Sequence, residues 1–187
     1  MSELTAWGDE SGSDKKRDPG SYLLGAALIP ALQVADARRI AASLKIPGRT
    51  KAHWREDIDA RHDEVISLID EMHINSLIIV RQCDLSEKDE RRRRICLEQF
   101  LYQLEQRGVT QLTLESRGLV ADKRDTELLG ALRRRGTGRG LRLDHIRGMD
   151  EPLLWVADAL LGAVVAARTG QPRWLRKVEH HTEVIEI

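Results

Sequence analysis

Only two cysteines, Cys83 and Cys96, occur among the 187 residues. That is too few for a disulfide framework or a cysteine-rich zinc site, and it suits a reducing, cytoplasmic setting. A long hydrophobic run is also missing. The most apolar stretch, residues 153–167, falls short of the ~20 residues that span a bilayer and carries an acid inside it, so no membrane role is expected. The first eight residues show no basic start followed by an apolar run, and no secretory leader is read there. An excess of one charge is absent too, since 30 basic residues balance 30 acidic ones. Proteins that coat nucleic acid through bulk charge are strongly basic. A nucleic-acid partner here would have to be gripped through local patches. Internal repeats and low-complexity tracts are lacking as well.

What is present is a hydrophobic content of 41%, enough for a core that needs no metal or cross-link, in a chain of single-domain length. Residues 4–8 and 21–29 read as an antiparallel strand pair, joined by a charged, turn-rich loop over 13–20. Apolar spacing predicts helices over 31–44 and 57–72, and a β-branched run predicts a strand over 74–80. Ser86 reads as the cap of a long helix that Gly108 closes. A strand over 109–115, a helix over 126–135 capped by Asp125 and a strand over 141–146 follow. Glu151-Pro152 opens the last long helix, and the tail from Gln171 is polar and mixed. Five strands interleaved with helices make a mixed α/β sheet covered by helices.

The chemistry resides in acids. Between 153 and 167 only Asp158 and Gly162 interrupt an apolar series, so that helix is buried nearly all round. A buried carboxylate without a partner is heavily penalised. Asp158 therefore needs a cation, a hydrogen-bond network or a raised pKa, and the two readings weighed are a pairing with an arginine such as Arg147 or Arg168 and a bound metal. Asp9 stands where the first strand ends, before the small-residue turn Ser11-Gly12, and can lean over the sheet edge. Glu115 ends another strand, before Ser116-Arg117-Gly118. Asp122 and Asp125 offer a fourth ligand, although Asp125 also suits a helix cap. Hard oxygen ligands of this kind select Mg²⁺ or Mn²⁺ over zinc.

The opening Trp7-Gly8-Asp9-Glu10-Ser11-Gly12 and the closing Leu154-Trp155-Val156-Ala157-Asp158-Ala159-Leu160-Leu161-Gly162-Ala163-Val164 resemble the two ends of the domain-of-unknown-function 3800 family. The resemblance in element order covers nearly the whole chain, and its distinctive motifs lie at the two ends. It implies a ribonuclease-H-like mixed five-stranded sheet flanked by helices, with residues 1–187 as one domain and a helical insertion at about 31–73. It also implies a nuclease-like metal site at Asp9, Glu115 and Asp158, acting on nucleic acid.

In such a site two ions about 3.5–4 Å apart would activate the attacking water and stabilise the leaving oxygen, with Asp9 bridging them. Glu10 points to the opposite side of the strand and serves at most as an outer contact, grouped with Ser11 and Arg117 toward substrate. His53 is either a proton carrier or a surface loop histidine. Trp54 either stacks on a base or covers the core. Arg91-Arg92-Arg93-Arg94 spread round a helix and read as a solvated face. Arg133-Arg134-Arg135 with Arg139 lie near a glycine-rich turn that phosphate can approach, although a structural role comes first. The His180-His181 pair reads as a surface feature. The alternative to an enzyme is a binding module that keeps the fold without turnover, and oligomeric state stays open.

Overall fold

A computed structural model describes residues 3–12 and 18–187. The 13–17 part of the expected loop lies outside the described residues. Strands β1 (Leu4–Gly12) and β2 (Ser21–Pro30) form an antiparallel pair, with Asp9 opposite Gly25. β3 (Asn75–Gln82) continues antiparallel beside β2. On the other side β4 (Val109–Glu115) runs parallel to β1, and β5 (Arg142–Ile146) runs parallel to β4. A sixth strand, β6 (Thr182–Glu186), lies parallel to β3, giving the order β5-β4-β1-β2-β3-β6.

The sixth strand corrects the expected count of five. Its sequence, Thr-Glu-Val-Ile-Glu, sits at a sheet edge where mostly Ile185 packs inward, so the apolar alternation that flags a strand is too short to stand out. The helix after β4 also starts earlier than expected. α4 spans Leu119–Arg134, and its first-turn residues Leu119 and Val120 are exposed, leaving no apolar stripe to read.

The strand period of two divides the core. Trp7 joins the cluster under one face, and Ala6 joins the cluster under the other. The Trp7 face is covered by α5 (Pro152–Arg168), α1 (Val34–Ala42), α2 (Asp59–Glu71) and α6 (Arg173–Val178). The Ala6 face is covered by α3 (Asp89–Gln106) and α4. Asp9, two residues after Trp7, shares the α5 face, and Glu10 shares the α3–α4 face.

α5 is apolar on nearly every side because the sheet, α1, α2 and α6 all enclose it. Its approach to β2 depends on Gly25, where an added Cβ would lie 3.0 Å from the Leu161 side chain. The Glu151 carboxylate caps α5 by accepting from the Leu153 N–H at 3.1 Å. The same carboxylate receives a bidentate contact from Arg38, which ties α1 to the start of α5. No helix among the described residues is long and apolar enough to cross a membrane.

Candidate metal and catalytic site

Three acids stand on the α5 face, each on a different element, near enough for their charges to act on one another. Asp9 comes from the end of β1, Glu115 from the end of the parallel neighbour β4, and Asp158 from the middle of α5. Their proximity is electrostatic as well as topological. Burial, followed by the negative charges of Asp158 and Glu115, pushes the Asp9 carboxyl up to about 8, although Lys51 and His53 pull the other way. Asp9 Oδ1 accepts from the Glu10 N–H at 2.7 Å.

Glu115 is fixed by Gly148, where a Cβ would lie 2.4 Å from Oε1 of the glutamate. Gly148 is in turn held by α5, since Trp155 donates from Nε1 to its carbonyl at 2.6 Å. Only a residue without a side chain lets the turn after β5 close over the carboxylate.

Asp158 pairs with neither of the expected arginines. Arg147 binds Asp150, while Arg168 binds Asp18 and Glu186. Instead Asp158 Oδ2 accepts from His53 Nδ1 at 2.9 Å and from the Trp54 N–H at 2.7 Å. The hydrogen bond that His53 donates to Asp158 raises the His53 pKa, against the opposing effect of burial.

His53 reaches the site on the segment between α1 and α2, which is tied down at several points. Arg49 pairs with Asp57, and His62 donates from Nε2 to the Trp54 carbonyl at 2.9 Å. The Trp54 indole stacks on His62 with ring centroids 3.7 Å apart, and it meets Trp174 edge-on. It also presses on Gly162, where a Cβ would fall 2.3–2.5 Å from the ring. Trp54 therefore packs against the core, and together with Ser11, Arg55 and Trp174 it also lines a cavity of about 520 Å³ that opens beside Asp158.

Lys51 is the residue that sequence reasoning missed. Its Nζ lies 2.8 and 3.2 Å from the two oxygens of Glu115. Burial works against the ammonium, but the Glu115 hydrogen bond and the charges of Glu115, Asp9 and Asp158 hold its pKa above the ordinary value. A single lysine in a loop carries no sequence signal for such a position. Among the described residues, no three His, Cys, Asp or Glu side chains are drawn together closely enough to hold a metal ion in this arrangement. Lys51 and His53 engage the acids instead.

The remaining candidates belong elsewhere. Asp122 lies in the first turn of α4 and accepts from Ser116 Oγ at 2.6 Å and from the Arg117 N–H at 3.0 Å, bracing the turn after β4. Asp125 is inside α4 rather than capping it, and is bound by Arg93 and His145. Glu10 turns to the opposite face, where it meets Tyr22 and Arg93. Arg117 joins that network, within 3.6 Å of Glu10 and 3.7 Å of Asp125. The arginine run is thus not wholly solvated, because Arg93 is buried at its centre. Arg133 donates to the Gly138 and Leu141 carbonyls and so closes the glycine-rich turn. His180 pairs with Asp70. Burial pushes the Cys96 thiol up to about 12 and also raises Cys83, which makes both poor nucleophiles.

No protein-family model matches the sequence, and no curated protein does. Solved structures do match. RNase HII from Archaeoglobus fulgidus, determined in complex with PCNA, is similar over 96% of this chain and 77% of its own, with a TM-score of 0.51 and 12% identity. The ribonuclease H2 of Pyrococcus horikoshii OT3 is similar over 95% of this chain and 76% of its own, with a TM-score of 0.53 and 15% identity. The fold is ribonuclease-H-like. At these identities the likeness establishes architecture, and the chemistry has to be argued from the side chains of the site.

Proposed function

We propose that this ribonuclease-H-like chain is a divalent-metal-dependent phosphodiester hydrolase, a nuclease, working at Asp9, Glu115 and Asp158. We further assign it to the domain-of-unknown-function 3800 family, with residues 31–73 as the insertion that carries Lys51 and His53 to the site. The observation that supports this best is the Asp9 carboxyl, raised to about 8 by burial and by two neighbouring carboxylates. Such crowding is relieved most fully by a multivalent cation. Hard oxygen donors select Mg²⁺ or Mn²⁺ over zinc, and Asp9 and Asp158, with Glu115 beside them, would have to draw closer round the ion than they stand here. When bound, the ion supplies activation of the attacking water and neutralisation of charge on the phosphate.

The chain's own groups supply the rest. His53, fixed through Nδ1 by Asp158, carries a proton that its Nε2 side gives to the leaving oxygen. Trp54 holds the His53 segment against α5, and the cavity beside Asp158 receives the substrate. Lys51 sets positive charge beside the acids, where a phosphate anion would approach. A nucleic-acid substrate in a cytoplasmic setting is the reading we adopt.

One observation favours the alternative of a non-catalytic binding module: Lys51 and His53 already engage Glu115 and Asp158. A cleavage assay separates the two. Labelled single- and double-stranded DNA and RNA are incubated with and without Mn²⁺. The hydrolase reading requires Mn²⁺-dependent cleavage of at least one substrate, lost in the Asp9→Asn, Asp158→Asn double variant. It also requires that His53→Gln slow the reaction about 10²-fold or more. Cleavage that survives the double variant, or no cleavage of any substrate, rejects it.

A further inference from the structure

The cavity beside Asp158 is a trough laid along α5. Asp158, Gly162, Val165, Ala166 and Thr169 line it and recur on one side of the helix. At 1.5 Å per residue, the stretch from Asp158 to Thr169 is about 16 Å long. Its character changes along that length. The Asp158 end is polar, with His53 and Ser11, and Trp54 covers Gly162 in the middle. Val165 and Ala166 then give an apolar wall. Gln171, whose N–H donates to the Ala166 carbonyl at 2.8 Å, adds an amide with both a donor and an acceptor. A volume of about 520 Å³ is that of a site for a small molecule.

Among the described residues that line the trough, Arg55 is the single arginine or lysine. The acids there are engaged, Asp158 by His53, Asp59 by Arg173, and Glu10 by Arg93 on the other face of the sheet. Arg55 is exposed, and its side chain has no ion pair or hydrogen bond among the described residues. Its backbone is fixed. Arg55 sits in the turn Trp54–Glu56, where the Glu56 N–H donates to the His53 carbonyl and the Asp57 N–H to the Trp54 carbonyl, each at 3.1 Å. A guanidinium anchored at its base and uncommitted at its tip suits a phosphate, which it meets with parallel N–H bonds. In a chain whose charges cancel overall, such a local cation has to do the gripping.

A double helix cannot enter a trough of this size. Its bases are stacked and paired, and they reach a pocket only from a single strand or after extrusion. Resting on the hydrolase reading above, we propose that the substrate is single-stranded nucleic acid and that the trough takes one nucleotide of it, with a phosphate on Arg55 and the base against Val165 and Ala166. Gln171 then meets the edge of that base. Trp54 is not the stacking partner, because its indole already rests on His62 and Gly162.

Binding tests this without metal and without turnover. In chelator, the full chain is titrated with adenosine 5′-monophosphate, adenosine, a single-stranded oligonucleotide and the duplex of the same sequence. Calorimetry and the fluorescence of the lining tryptophans follow each titration. The monophosphate and the single strand should bind saturably, and the duplex about tenfold more weakly or worse. Arg55→Ala, at an exposed position that leaves the fold intact, should weaken the monophosphate and the single strand about tenfold or more. It should leave adenosine unchanged, and Arg55→Lys should restore part of the loss. Ala166→Trp, which fills the apolar end, should weaken adenosine and the monophosphate alike. Duplex binding equal to that of the single strand overturns the proposal. So does monophosphate binding indifferent to Arg55→Ala, or none at millimolar concentration. Each of these leaves the hydrolase reading to its own cleavage assay. Arg55-dependent binding with no cleavage of any substrate does the reverse, since the trough then stands as a nucleotide site and the hydrolase reading falls.

Discussion

His53 Nδ1 lies 2.9 Å from Asp158 Oδ2, and the next backbone N–H, that of Trp54, reaches the same oxygen at 2.7 Å. A carboxylate in the middle of an apolar helix is thereby satisfied by a loop more than 100 positions away in sequence. The loop stays in place because the Trp54 indole rests on Gly162, one turn along α5 from the acid.

Gly162 is therefore a site residue without chemistry of its own. A methyl at this position would lie 2.3–2.5 Å from the indole, so Gly162→Ala must displace Trp54 and loosen both bonds to Asp158. The variant should lose about 1–3 kcal/mol of stability in urea unfolding, and its cleavage rate should drop about tenfold or more if catalysis requires near-exact placement. Gly140→Ala, where an added Cβ meets open space, should change neither.

The other face of the sheet makes a separate prediction. Arg93 is buried between Asp125 and Glu10, so Arg93→Met would leave two carboxylates without their main partner. A loss of roughly 3–5 kcal/mol is expected. Arg94→Ala, on the exposed side of the same helix, should stay within about 0.5 kcal/mol. Equal effects of the two in denaturant titrations would contradict the buried network.

Asp125 makes part of that stability dependent on pH. Burial alone would raise its carboxyl, but hydrogen bonds from His145 and Arg93 outweigh it and lower the pKa from 3.8 to about 2. The folded chain thus holds fewer protons than the unfolded one in that window. The contribution, roughly 2 kcal/mol, is complete above about pH 4 and is lost as pH falls toward 2. The stability gap between wild type and Asp125→Asn should narrow over that interval and stay level from pH 5 to 7.

Asp9 has the opposite sign. Its folded pKa of about 8 lies above the ordinary 3.8, so the folded chain keeps a proton that the unfolded chain releases. Metal-free stability should fall as pH rises through that window. At pH 7 in chelator, Asp9→Asn should melt higher than wild type, by at least about 1 kcal/mol. A lower melting temperature for the variant would show that Asp9 is not electrostatically crowded.

Much of this arrangement is legible in the sequence because it depends on period and position. The alternation along β1 separates Asp9 from Glu10, and the apolar series of α5 marks Asp158 as a carboxylate in need of a partner. Partners that come from loops or from charged runs are not legible in this way. Lys51 and His53 depend on where a non-periodic segment lands. Arg93 looks like its three arginine neighbours until the helix is placed against Tyr22 and Asp125. β6 and the first turn of α4 escape notice for a related reason, since little of either is buried.

The most direct test is anomalous diffraction at the manganese edge from crystals soaked in Mn²⁺. A peak within coordination distance of carboxylate oxygens of both Asp9 and Asp158 is the expected result. At saturating Mn²⁺, a map with no peak at those two carboxylates, or with the ion held only by other residues, would contradict it.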